Sequence, residues 1–288
     1  MDLQLVNKEW YPLISVEKDD LHDAFETFHT AVQNISSVGR TFLPDQHSAD
    51  DDAATLIWVP GLWRLAGQWI PAAKTFRSSI SFKDFTIYLV DQKLNTLGSL
   101  NLTEKSYQES MLWLEQQIIS LELSTNQLST ELPYELPLYA KHYKDPFNLI
   151  SPTLAEIVGG YFHNTYLLLT AIKHEHELTT DVRVYPHHFD MEMKIILKKT
   201  GDLSTDTYVR LGFSPGEPSI EPYLYINSWP YPETADLPLA PAGSEWRVDD
   251  WVGLSYPISQ LLDTSNQAAE MAAFFSAGLA IFTKLLLD

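Results

Sequence analysis

The groups best suited to acid–base or ligand chemistry crowd into Tyr185-Pro186-His187-His188-Phe189-Asp190, and acids and phenols return in Glu221-Pro222-Tyr223-Leu224-Tyr225. Imidazoles titrate near neutrality, carboxylates accept hydrogen bonds, and tyrosines offer both a ring face and a hydroxyl, the mixture found in small-ligand sites. Three strands are predicted to position them. Phe189, Met191, Met193, Ile195 and Leu197 alternate with His188, Asp190, Glu192 and Lys194, the period of a strand with one apolar and one polar face. Val209, Leu211 and Phe213 oppose Tyr208 and Arg210, and Leu224 and Ile226 oppose Glu221, Tyr223, Tyr225, Asn227 and Trp229. Turns near Gly201 and at Pro215-Gly216 fold these segments into an antiparallel meander. One end of that sheet is predicted to gather His188, Asp190, Ser214, Glu217, Glu221 and Tyr223. The candidate site is therefore His188, Asp190, Glu221, Tyr223 and Tyr225, holding a small-molecule ligand.

Two other functions use the same region. In a metal-dependent hydrolase, His187 or His188 with Asp190 holds an ion and Glu217 or Glu221 acts as general base. In a protein-interaction module, the aromatic strand from Tyr223 to Tyr231 is the contact surface. The plainest reading is a solvated sheet face whose tyrosines shield the backbone. The His-His-Phe-Asp block, the turn Gly212-Phe213-Ser214-Pro215-Gly216 and the aromatic-proline strand ending at Trp229-Pro230-Tyr231-Pro232 resemble those of a bacterial family of uncharacterised proteins. The resemblance covers residues 181–256 most clearly and implies a shared fold, with no activity.

Other motifs fail on physical grounds. Gly212-Phe213-Ser214-Pro215-Gly216 has the spacing of a nucleophile elbow, but Pro215 has no N–H to stabilise an oxyanion and no histidine follows Ser214. His22, Glu26 and His29 share a stripe of a predicted helix, a pattern some metal-binding bundles use. With no partner helix in view, they read as a solvated or boundary face. His174 and His176 fall near a helix end, where the dipole favours imidazoles. Asp50-Asp51-Asp52 lacks a glycine-containing calcium loop, and neither common nucleotide cradle is present. No cofactor or metal set is assigned. Trp58, Trp63 and Trp69 read as core and turn residues.

Thirty-eight acids against nineteen bases give a formal charge of −19, a field that repels phosphate backbones and anionic headgroups, so neither nucleic acid nor membrane is expected as a partner. With no cysteine, disulfides and thiolate chemistry are excluded. No export signal is visible near Met1, which makes the cytoplasm the expected compartment. The apolar segment from Met271 to Phe282 is shorter than the ~20 residues that cross a bilayer and reads as a buried helix.

The fold class expected is α+β, with antiparallel sheets packing one apolar face on helices. A helix is predicted from the spacing of Leu21, Phe25, Phe28, Val32, Ile35 and Val38, ending at Gly39. Strand-forming runs follow at 55–59, 76–90 and 96–102, and Ser106 with Glu109 forms a capping box for the next helix. Residues 124–152 hold prolines at 133, 137, 146 and 152 and read as either the connection between halves or a long surface loop. The expectation is one compact domain over 1–288, with halves 1–123 and 151–288 that each run helix, strands, helix.

Overall fold

A computed structural model of the chain describes residues 3–43, 52–123, 128, 130–136, 143–147, 151–201, 205–217 and 219–287. Asp50, Asp51 and much of the proline-rich connection, Pro137 included, lie outside them. Among the described residues the helices are α1 (Leu3–Glu9), α2 (Lys18–Phe42), α3 (Tyr107–Ser120), α4 (Pro152–Lys173), α5 (Ser259–Leu262) and α6 (Gln267–Leu287). The first six strands are β1 (Ile57–Val59), β2 (Arg64–Ala66), β3 (Phe76–Ser81), β4 (Thr86–Asp91), β5 (Thr96–Asn101) and β6 (Arg183–Tyr185). The remaining five are β7 (Asp190–Lys198), β8 (Thr207–Ser214), β9 (Tyr223–Trp229), β10 (Glu245–Arg247) and β11 (Gly253–Pro257). Helices and antiparallel sheets in this order make the α+β class.

Two compact units divide the chain. An N-terminal unit comprises Glu17–Gly159 with Arg183–Phe189, and a C-terminal unit comprises Met1–Val16, Gly160–Val182 and Asp190–Asp288. The exchange of chain between them falls inside the continuous helix α4, at residues 159 and 160, and again around β6.

In the N-terminal unit the sheet order is β1-β2-β3-β4-β5, antiparallel throughout. The single strand-forming run expected over 76–90 folds back on itself, since Phe85 takes φ 48° and reverses the chain between β3 and β4. Phe82 is buried in that turn, stacked on Phe28 of α2 with ring centroids 4.1 Å apart, and Trp58 meets its edge at 5.4 Å. The capping box forms as expected: Ser106 N–H donates to Glu109 Oε2 (2.8 Å) and Glu109 N–H to Ser106 Oγ (3.2 Å). Helix α2 runs beyond Gly39 to Phe42. Gly39 instead lets the backbone come close, since a Cβ there would strike the carbonyl of Ala53.

Of the stripe read as a solvated or boundary face on α2, His22 is half-buried, but the other two residues are inside. Glu26 and His29 are each 7% exposed, and Gln33 and Asn34 are fully buried. Long-range bonds satisfy three of them, His29, Gln33 and Asn34: His29 Nε2 donates to the carbonyl of Pro186 (3.0 Å), Gln33 Nε2 donates to the same oxygen (2.7 Å), and Tyr134 Oη donates to Gln33 Oε1 (2.6 Å). Ser110 Oγ donates to Asn34 Oδ1 at 2.8 Å. A buried amide or imidazole without such partners would cost about 1–3 kcal/mol, which explains how a polar stripe survives inside.

The C-terminal unit is built on the order β10-β11-β9-β8-β7, all pairs antiparallel. The three strands predicted over 189–229 are thus consecutive neighbours. Helix α6 packs on this sheet through a face that includes Phe274 and Phe275, 3% and 0% exposed, and Gly278, whose missing Cβ leaves room for Ile226. Its 21 residues exceed the twelve-residue apolar segment read from the sequence and are long and apolar enough to cross a membrane by length and composition. Asn164 of α4 ties down the first residues, accepting from Tyr11 N–H at 2.9 Å and donating to Tyr11 O at 2.8 Å.

Burial lowers the His29 pKa from 6.5 to about 4, only partly offset by its bond to Pro186. The unfolded chain therefore binds a proton that the folded chain refuses between those values. Stability contributed by neutral His29 is complete above pH 6.5 and is lost as pH falls toward 4, by about 3 kcal/mol in all. An imidazole titration by NMR is expected to show His29 with a midpoint at about 4. A midpoint in the ordinary range of about 6.5 would contradict this burial.

Candidate functional site

Strand register lays the polar face of the C-terminal sheet out in rows. Glu192, Gly212, Tyr225, Ser255 and Glu245 stand opposite one another across β7, β8, β9, β11 and β10. The adjacent row is Lys194, Arg210, Asn227, Gly253 and Arg247. Apolar Met191, Met193, Leu211, Phe213, Leu224 and Ile226 alternate with them and are fully buried on the other side.

Gly212 is the structural key to the first row. A Cβ at that position would meet the Tyr225 ring, with Tyr225 Oη at 2.6 Å and the Met191 carbonyl also at 2.6 Å. Lacking one, β8 lets Tyr225 lie across it from β9 toward β7. The phenol ends between two acids, with Oη 2.5 Å from Asp190 Oδ2 and 3.0 Å from Glu192 Oε2. Arg210 closes the cluster, its Nε 2.9 Å from Glu192 Oε2. Glu192 and Tyr225 are 6% and 7% exposed, whereas Asp190 is half-buried at the margin.

The proton count follows from this geometry. One phenolic hydrogen cannot serve two carboxyl groups at once. It is donated over the shorter contact to Asp190 Oδ2, or over the longer one to Glu192, whose Oε2 accepts it. Burial pushes the Glu192 pKa up to about 7, with Asp190 adding to the rise and Arg210, Lys194 and the hydrogen bond from Tyr225 opposing it. Burial, with the two neighbouring acids, also raises the Tyr225 phenol well above its usual range, so it remains a donor. Because the folded chain holds the Glu192 proton more tightly, this group's contribution to stability declines as pH rises from 4.5 to about 7, opposite in sign to that of His29.

Beside the cluster lies an aromatic group. Tyr223, Tyr225 and Trp251 have ring centroids 6.2 to 6.5 Å apart, and Tyr223 and Trp251 are nearly parallel at 12°. The guanidinium of Arg247 sits 5.6 Å from the Tyr223 centroid and 5.5 Å from that of Trp251.

Of the residues predicted for the site, Asp190, Tyr223 and Tyr225 share this face. His188 does not: it is exposed in the turn over residues 186–189, within the N-terminal unit, and β7 begins only at Asp190. Phe189 adopts φ 56°, which breaks the alternation that assigned His188 and Asp190 to one side of a strand. His187 belongs to a ring cluster with His188 (4.4 Å), Tyr134 (5.8 Å) and Tyr185 (6.0 Å). Glu221 is engaged at the start of α5, where its carboxylate accepts from Ser259 N–H and Ser259 Oγ, both at 3.0 Å. Ser214 ends β8 and accepts from Gly216 N–H at 3.2 Å, leading into a turn and then β9 rather than a helix. Alternation places Glu192 and Arg210 on the polar face but does not by itself mark them as site residues. The signal that could have found them is Gly212 in mid-strand.

Among the described residues, no three His, Asp or Glu side chains come together as a set that could hold a metal ion. The cluster is suited instead to proton exchange and hydrogen bonding, with an acid that titrates near physiological pH beside a second carboxyl group.

Comparison with protein-family models, with curated proteins and with solved structures found no match, so none of them supports the resemblance of residues 181–256 to a bacterial family. The geometry makes its own prediction. Gly212→Ala is expected to destabilise the protein by about 1–3 kcal/mol, because the added methyl meets a neighbouring strand's carbonyl as well as the Tyr225 ring. A urea midpoint equal to that of the unaltered protein would contradict the close crossing of Tyr225 over β8.

Proposed function

We propose that the protein binds a small, hydrogen-bond-donating molecule, an amine or a polyol, on the polar face of the C-terminal sheet. The observation that carries this reading is the placing of the Tyr225 hydroxyl between Asp190 and Glu192. A face that only met solvent would not need a buried acid held by an arginine and a phenol, since burial of ionisable groups is costly unless they are paired. The half-buried Asp190 supplies the accessible acceptor, and Tyr223 with Trp251 supplies ring surface against which a ligand can pack. The formal charge of −19 favours a neutral or cationic ligand and disfavours nucleic acid.

An acid–base enzyme is the second reading, favoured by the raised pKa of Glu192. In that case Glu192 would give up its proton through Tyr225 toward a group bound at Asp190. The metal-dependent form of that reading has no such support, since no set of three His, Asp or Glu side chains that could hold an ion forms among the described residues.

The two acids and the phenol make the reading testable. In a thermal-shift screen of amines and polyols, stabilising compounds are expected, and Tyr225→Phe should weaken their binding about ten- to a hundredfold, the effect of a hydrogen bond to a charged group. Glu192→Gln, which mimics the neutral acid, should retain binding and remove its pH dependence near 7. Equal stabilisation of the unaltered protein and Tyr225→Phe by every hit, or no hit at all, would contradict the proposal.

A further inference from the structure

The sheet of the N-terminal unit also has two faces. Ser78 Oγ lies 3.4 Å from Ile35 O of α2, and Gly98 approaches Gln117 and Trp113 of α3, so one face packs on these helices. The pleat puts Arg77, Ser79 and Ser81 of β3 on the other face, with Arg64 paired to Ser81 and Tyr88 paired to Ser79. Arg64 therefore reaches diagonally across β3. Its Cζ stands 3.6 Å from the Tyr88 ring centroid, and that ring is fixed by donating to Asp84 Oδ2 at 2.6 Å. Arg77 is stacked in the same manner, 4.5 Å from the Trp69 centroid. A guanidinium stacked by its flat face keeps its N–H edge for a planar or tetrahedral oxyanion.

Three polar atoms on this face are orphans. Arg64 Nε, Arg77 Nε and Ser79 Oγ are buried and have no hydrogen-bond partner among the described residues, and Ser79 is only 3% exposed. Four other cations of the chain are held by acids instead. Lys74, Lys105, Lys173 and Arg210 each pair with a carboxylate, as acids outnumbering bases two to one would lead one to expect. Arg64 and Arg77 form no ion pair among the described residues, although Asp84 is nearby and bound to Tyr88. Burial alone lowers the Arg77 pKa, with no acid opposing the shift.

We infer that this face of the N-terminal sheet is a binding site for a small oxyanion, a phosphoryl or carboxylate group held by Arg64 and Arg77 with Ser79 between them. The guanidinium edges donate to the anion, the serine hydroxyl donates a further bond, and Tyr88 and Trp69 hold the two arginines extended. The site is in a different unit from the Tyr225 cluster and does not rest on the function proposed there.

Calorimetric titration of the full chain with sodium phosphate, and separately with sodium acetate, against chloride at equal ionic strength tests this. Saturable binding of at least one of the two anions is expected, with phosphate alone pointing to a phosphoryl ligand and acetate alone to a carboxylate. Arg64→Lys with Arg77→Lys keeps both charges and removes the fork, and should weaken binding about tenfold or more. Ser79→Ala should weaken it by less, and Tyr225→Phe should leave it unchanged. Unaltered affinity in the lysine double variant, or no binding beyond chloride, overturns the inference. Should that variant fail to fold, arginine Nε–H resonances of the unaltered protein decide: those of Arg64 and Arg77 must move as anion is added, and their remaining still overturns it equally.

Discussion

A single phenolic hydrogen set between two carboxyl groups is the interaction on which the polar face of the C-terminal sheet depends. Tyr225 can reach Asp190 and Glu192 only because Gly212 leaves the intervening strand bare. Glu192 can remain buried only because its charge is either neutralised by a proton or met by Arg210. Each member needs the others: without the phenol two acids would face each other, and without the arginine the ionised form of Glu192 would be unpaired in the sheet.

The N-terminal unit buries polar groups by another route. Along α2 the amides and the imidazole are satisfied by backbone carbonyls and by Ser110 and Tyr134, so the stripe is structural and has few bonds left to offer. On the far side of the same unit's sheet the arginines are supported by rings rather than acids, which leaves their N–H edges unused. Satisfied polar groups hold the fold, whereas the orphans on this sheet face carry the proposed anion site.

Much of the fold is legible in the chain because local rules decide it. Period-two alternation from Met191 to Ile226 specifies the strands and their polar face, and Ser106 with Glu109 specifies a helix start that forms as expected. The site is legible only in part. His188 is misassigned by alternation because a non-glycine residue, Phe189, takes a left-handed φ that no pattern of side-chain types announces. Glu221 has the composition of a site residue, yet its partner Ser259 is 38 positions away, beyond any local rule. His29 and Glu26 look like surface because the carbonyl that satisfies His29 comes from Pro186, in a distant segment of the chain. Arg64 and Arg77 give no signal at all, since the pairing with Tyr88 and Trp69 exists only once the hairpins are in register.

Protonation of Glu192 is the property on which the cluster stands or falls. With glutamate labelled at the side-chain carboxyl carbon, and its resonance assigned by comparison with Glu192→Gln, an NMR titration reads the group itself. The midpoint expected is about 7, set by burial and by the neighbouring Asp190 against the pull of Arg210. A midpoint near 4.5, the ordinary value of a glutamate in water, would mean that Glu192 is ionised throughout the physiological range and that the proton-sharing cluster does not exist.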